Sequence, residues 1–258
     1  MDGRVTTRVT GAVGEIIISN PDRKNAMSGS MWRELRECTI ELQANDYARV
    51  VIVRGSDAMF VSGADISEFK PLRDDPESST NYFLTMEDAL NAIFNLTKPT
   101  IAAIEGHCIG GGVSIAVACD FRFASQDAVF QIPTARLGLT FPKESLRRLA
   151  SLIGVTHAKR LLFTANVISA TEAKAINLIS ENVDHDLRTG VDELCASIQD
   201  NAPLSIMTTK KMLNSFTGQD LELGELTKQY QTLTLSSRDF SEAINSLEEK
   251  RKPNFIGK

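Results

Sequence analysis

At 258 residues, with 42% hydrophobic and 24% charged side chains, the chain can bury a full core and has an ordinary globular composition. A formal charge of −5 argues against a nucleic-acid partner, and no apolar run approaches the roughly 18 residues that span a bilayer. Four cysteines without close pairing, three scattered histidines and the start Met1-Asp2-Gly3-Arg4 point to a cytoplasmic setting, with no metal site and no membrane partner.

Residues 5–10 and 13–19 are β-rich and meet at Gly11-Ala12, which predicts a hairpin. Asn20-Pro21-Asp22-Arg23-Lys24-Asn25 reads as a turn, and Ser28 can cap a helix whose apolar positions are Met31, Trp32, Leu35, Cys38 and Leu42. A strand follows at 50–53. The stretch 69–79, with Pro71 and Pro76, reads as a mobile loop of the kind that selects substrates. A helix is expected over about 81–96, stopped by Lys98-Pro99, then a strand at 101–104. After an apolar helix at 113–119, short strands are expected at 121–124 and 128–130 and a helix at 145–153. Ser169-Ala170-Thr171-Glu172 is a capping box, and further helices are expected near 187–200, 204–214, 220–236 and 239–250. Strands alternating with helices first, then helices alone, imply an α/β core with a helical appendage.

Two glycine-punctuated segments carry the chemistry. They are Phe60-Val61-Ser62-Gly63-Ala64-Asp65-Ile66 and Gly106-His107-Cys108-Ile109-Gly110-Gly111-Gly112, each after a strand-like run. Glycine lets backbone approach a ligand, and a helix start leaves its first N–H groups without partners. A strand, a triple-glycine turn and a buried helix therefore aim amide hydrogens and a positive dipole end at one point. Such a point suits a developing negative charge, as on the oxygen of an enolate or a tetrahedral intermediate. A dinucleotide site is disfavoured: the glycines do not form G-x-G-x-x-G, and Glu105 precedes them.

In this order the residues resemble the crotonase (enoyl-CoA hydratase/isomerase) superfamily. The resemblance runs through Asn20-Pro21 with Lys24-Asn25-Ala26, Ser62-Gly63-Ala64-Asp65-Ile66, Lys98-Pro99, Gly106, and Gly110-Gly111-Gly112. It continues through Cys119-Asp120, Pro133, Leu137-Gly138 and Glu249-Lys250-Arg251-Lys252-Pro253. Any one of these is a weak signal; the ordered set over nearly the whole chain is specific. It implies an α/β fold with a repeated ββα spiral core, residues 1–195, and a C-terminal helical trimerisation region, residues 196–258. It also implies a homotrimer or a dimer of trimers acting in fatty acid metabolism on an acyl-CoA thioester. Coenzyme A is then part of the substrate, and no separate cofactor is expected. The family's two oxyanion-hole amides fall on Ala64 and Gly111, with Gly110 beside them. The coenzyme A path falls on Lys24, Ala26, Asp65, Ile66 and Ser67, with Lys250 near the nucleotide phosphates. Lys24 and Lys250 also read as plain solvated charge.

The same resemblance marks a departure. Where the hydratases of the family carry two proton-moving glutamates, this chain has Ser114 and Thr134, leaving Thr134 to the binding wall. An unactivated hydroxyl titrates too far from neutrality to replace a carboxylate. Strict hydratase chemistry is therefore in doubt, while decarboxylation of a malonyl-type thioester remains open. Leu139-Thr140-Phe141-Pro142-Lys143-Glu144 replaces the family's usual glycine-rich turn, and Glu144 on it is the substitute acid, or else a first-turn helix carboxylate. His107, Glu68, Glu87 and Asp88 are weaker substitutes: His107 reads first as a packed or hydrogen-bonded core residue and the three carboxylates as surface charge, and Asp120 reads as a structural hydrogen-bonding residue. The alternative to an enzyme is a non-catalytic acyl-CoA binding or scaffold protein.

Overall fold

The structure is a computed structural model and describes residues 3–69, 75–183, 186–216 and 231–258. Strands β1 (Arg4–Thr10) and β2 (Val13–Ser19) form the expected antiparallel hairpin. To its inner edge are added, all parallel, β3 (Val50–Gly55), β4 (Thr100–Ile104), β6 (Phe121–Ser125) and β9 (Glu181–Val183). Parallel strands lie between covering layers, so their side chains are buried on both faces. Accordingly Val50, Val51, Ile52 and Val53 are all buried, while β1, at the edge, keeps most of its residues exposed. A second, smaller sheet has the order β5 (His107–Ile109), β7 (Val129–Gln131), β8 (Ile168–Ser169).

Helix α1 (Gly29–Ala44) begins as the sequence predicts: Ser28 Oγ accepts from Met31 N, and Met31, Trp32, Leu35, Cys38 and Leu42 are buried. Helix α2 (Pro76–Asn95) starts about five residues earlier than expected. The reason is local: Asp75 caps Glu77 N, and a proline in the first turn lacks only an N–H that the helix would leave unpaired. Residues 76–79 are thus helix rather than loop, and 70–74 lie outside the described residues. Helix α3 (Gly111–Ala118) is apolar all round, and every residue from Gly112 to Ala118 is buried. It is enclosed by α2 and by α5 (Lys143–Thr164), which leaves helical geometry at Gly154 (φ 75°, ψ 157°). The short helix α4 (Thr134–Leu137) precedes α5.

Helix α6 (Ala170–Ala175) carries the expected capping box at Ser169 and Glu172. Helices α7 (Leu187–Gln199), α8 (Pro203–Phe216) and α9 (Arg238–Glu248) complete the helical C-terminal part. Of the helix expected near 220–236, residues 217–230 lie outside the described residues and 231–235 are helical. Strands β5, β8 and β9 carry no sequence signal of their own, because two or three residues are too few to show a period.

Asp120, where α3 gives way to β6, ties the sheet to α8. Its Oδ2 accepts from Thr100 N (2.7 Å), Thr100 Oγ1 (2.9 Å) and Lys210 Nζ (2.7 Å), and Lys210 also donates to Lys98 O at 2.9 Å. The Lys210 side chain is only 8% exposed, so removing its counter-ion leaves a buried charge. Asp120→Ala is expected to lower the unfolding free energy by about 3 kcal/mol in urea titration. A loss below about 0.5 kcal/mol, the scatter of ordinary surface changes, would show that the pair does not brace the C-terminal helices.

Candidate active site

The first glycine segment is held from both sides by backbone hydrogen bonds. Phe60 N donates to Glu105 O (2.7 Å), Val61 N to His107 O (2.9 Å) and Ile109 N back to Val61 O (2.9 Å). After Gly63, at φ 117°, the chain turns to Met27: Met27 N donates to Gly63 O and Asp65 N to Met27 O, both at 2.8 Å. In extended backbone successive peptide groups face opposite ways. With Gly63 O and Asp65 N directed at Met27, the N–H of Ala64 between them points away from Met27. It donates no hydrogen bond to any described residue.

The second donor comes from the start of α3. Gly110 sits at φ 52°, ψ −105°, a conformation an L side chain resists, and its own N–H donates to Gln131 O at 2.8 Å. That turn leaves Gly111 as the first helical residue, whose N–H no preceding carbonyl can reach. The loops meet closely: a Cβ on Gly111 would stand 3.7 Å from Ala64 N, and one on Gly110 3.9 Å from Gly63 Cα. A Cβ on Gly112 would stand 2.5 Å from Val61 O, so only glycine permits the approach. Two amides from facing loops, unpartnered among the described residues and one of them at a positive helix end, form an anion-accepting notch.

Around the notch the turn at Asn20 to Asn25 packs beside the first segment. Asn25 Nδ2 donates to Ser56 O and Met59 O, Ser62 N donates to Lys24 O (3.2 Å), and Ala26 is buried next to it. Asp65 Oδ1 accepts from Ser67 N, Ser67 Oγ and Arg23 Nη1 at 3.0, 2.6 and 2.8 Å. Burial works to raise the Asp65 carboxyl, but these donors outweigh it and hold the group below its ordinary range. The structure thus gathers Lys24, Ala26, Ala64, Asp65, Ile66, Ser67, Gly110 and Gly111, with Ile66 exposed at the rim. Thr134 joins them at one remove: the ring of the preceding Pro133 would lie 3.8 Å from a Cβ on Gly110. Lys250 is exposed beyond α9, and no hydrogen bond or ion pair links its side chain to these residues among the described ones.

Glu144 is in the first turn of α5, and Arg147 Nη2 lies 2.7 Å from its Oε2. The hydrogen bond from Arg147 holds the Glu144 carboxyl below the ordinary carboxylate range, which works against its serving as a general acid. Glu68 is not free surface charge: its Oε2 accepts from Gly29 N at the start of α1 (2.8 Å). His107 lies in β5 and its carbonyl is spent on Val61. Ser114 Oγ, one turn on from Gly111, is buried without a hydrogen-bond partner among the described residues. Arg23, Trp32 and Tyr82 were not singled out as site residues by sequence. Trp32 fits the core pattern of α1, and the other two touch the site only through the fold.

A cavity of about 1060 Å³ opens elsewhere, between Val117 and Cys119 at the far end of α3, Arg148 and Leu152 of α5, and α8 and α9. It lies roughly 10 Å along the helix axis from Gly111, at 1.5 Å per residue. Its size does not make it the reaction centre: the unpaired donors are at the other end of the helix.

The sequence model of the enoyl-CoA hydratase/isomerase family matches residues 8–258. The chain belongs to that family. Among its relatives is the peroxisomal Delta(3,5)-Delta(2,4)-dienoyl-CoA isomerase of Arabidopsis thaliana, 32% identical over 95% of this chain and 92% of that protein. A short-chain-enoyl-CoA hydratase of Clostridium acetobutylicum is 31% identical over 94% of this chain and 93% of its own. An enoyl-CoA hydratase/isomerase family protein from Hyphomonas neptunium has a solved structure that superposes with a TM-score of 0.93. It shares 32% identity and covers 97% of each chain. The α/β crotonase-type fold expected from the sequence is therefore the fold of this protein. No described helix is long and apolar enough to cross a membrane.

In this member of the enoyl-CoA hydratase/isomerase family the close loop contact makes a direct prediction. Gly112→Ala, which forces a methyl group onto Val61 O, is expected to cost about 1–3 kcal/mol of stability and to weaken binding of coenzyme A esters. Urea unfolding and calorimetric titration check it; an unchanged variant would mean the loops are not in contact at Gly112.

Proposed function

We propose that the protein acts on acyl-CoA thioesters, holding the thioester oxygen between the N–H groups of Ala64 and Gly111 and stabilising the enolate formed there. The observation that carries this reading is the pair of unpartnered amides brought together from two loops. Charge moves onto that oxygen as the enolate develops, so the donors bind the transition state more tightly than the ground state. Each is worth about 3 kcal/mol in a site closed to water. In this reading the coenzyme A arm follows Lys24, Ala26, Asp65, Ile66 and Ser67, and Arg23 braces Asp65 and Ser67 from the solvent side. Lys250 is assigned to the nucleotide phosphates in the assembled protein. A trimer or dimer of trimers accords with the outward row Phe240, Ile244 and Leu247 on α9, all exposed in the single chain.

The side chains at three positions bear on the reaction. Ser114 and Thr134 stand where the resemblance places proton-moving glutamates, and Glu144 is tied to Arg147. The reaction that fits is one in which the enolate forms without an outside base. In decarboxylation of a malonyl-type thioester, the bond from Cα to the carboxylate breaks and carbon dioxide leaves. The electron pair passes through Cα to the thioester oxygen, and Cα later takes a proton from water. The buried Ser114 hydroxyl is suited to orienting a substrate oxygen rather than to moving a proton. Ser114 and Thr134 in those two places favour, as a second reading, binding of acyl-CoA without turnover.

Three measurements separate these. Carbon dioxide release from methylmalonyl-CoA is expected for the wild type, with little loss of enoyl absorbance from crotonyl-CoA. Ala64→Pro, which removes an N–H that bonds no described residue, is expected to lower turnover at least about 100-fold. Calorimetric binding with no turnover of either ester would select the binding protein, and no binding at all would refute the proposal.

A further inference from the structure

The proposed chemistry needs amides from two separate loops at a fixed spacing, and one short line of side chains touches both loops. Trp32, fully buried on α1, has Cζ2 at 3.1 Å and Cη2 at 3.4 Å from where a Cβ of Gly111 would stand. Its Nε1 donates to Tyr82 Oη at 3.2 Å, and Tyr82 Oη donates to Met27 O at 3.4 Å. Met27 is the residue whose N–H and carbonyl engage Gly63 and Asp65 on either side of Ala64. The line Gly111, Trp32, Tyr82, Met27 thus begins at one donor and ends at the backbone bridge that aims the other.

Tyr82 is itself fixed. Its ring meets Phe69 edge-on at 5.8 Å and Phe83 at 5.6 Å, and a Cβ on Gly29 would lie 3.6 Å from it. Burial pushes the Tyr82 hydroxyl up to about 12, so it remains a donor to Met27 at working pH. The phenol also gives the buried indole N–H its acceptor; without it that N–H is left unsatisfied and the ring beneath Gly111 is free to shift.

We propose that Trp32 and Tyr82 are positioning residues that set the distance between the Ala64 and Gly111 amides. This rests on the reading of those amides as the oxyanion site. Neither side chain touches the reacting atoms. Their effect is on how well the notch fits a charged oxygen rather than on whether coenzyme A binds. A small misplacement of such donors costs more in the transition state than in the ground state.

The test uses acetoacetyl-CoA, which gives up a proton to buffer to form an enolate with its own near-ultraviolet absorbance. Free coenzyme A serves as the affinity control. The wild type is expected to raise the enolate fraction of the bound ester. Tyr82→Phe, which keeps the ring and its edge contacts, is expected to lower that fraction about tenfold and kcat similarly. KM and the Kd of free coenzyme A should stay within about threefold of wild type. Trp32→Phe is the second variant and is expected to behave alike. A folded Tyr82→Phe or Trp32→Phe with wild-type enolate fraction and kcat overturns the positioning role alone. A wild type that forms no more enolate than buffer, or no more than Ala64→Pro, overturns the oxyanion reading, and the positioning role falls with it.

Discussion

Backbone alternation over residues 61–65 decides where the Ala64 amide points. Val61 is bonded toward β5, while Gly63 and Asp65 are bonded toward Met27, and the N–H between the last two has only one direction left. No side chain supplies this donor, so most substitutions leave it in place. It depends on the geometry of two short bridges, Met27 with Ala64 and Val61 with Cys108. The sheet, α1 and α3 serve largely to hold those bridges and the Gly110 turn in register.

From that constraint follows the division of labour in the site. In the proposed reading the backbone supplies the groups that face the developing charge, and side chains fix the backbone. Asn25 pins the turn to Ser56 and Met59, Glu68 holds the start of α1, and Trp32 fills the space beneath Gly111. Preorganised donors need no rearrangement when charge appears, so their hold on the oxygen does not depend on which group moves a proton. The chemistry open to it is then set by how the enolate is generated. A substrate that carries its own leaving carboxylate lifts the demand for a base.

Much of this was legible in the sequence. The hairpin, the capped α1, the buried α3 and the two glycine segments follow from periodicity and glycine placement, and the ordered motifs marked the family. The start of α2 was misplaced because Pro76 looks like a loop residue, although proline suits a first turn. The first-turn place of Glu144 was legible, but its tie to Arg147 and that of Glu68 to Gly29 were not, since both depend on partners that come within reach only in three dimensions. Trp32 and Tyr82 are 50 residues apart, and Trp32 was read as core, which it also is. Nothing in a one-dimensional pattern distinguishes an indole that only fills space from one that lies against a donor loop.

The most direct measurement is the infrared stretching frequency of an isotopically labelled thioester carbonyl in a saturated acyl-CoA bound to the protein. Two amide hydrogens on that oxygen weaken the carbonyl bond, so the account predicts a clear shift to lower frequency in the bound ester, largely reversed when residue 64 has no N–H. A bound ester whose carbonyl vibrates as it does in water, or at higher frequency, would contradict it.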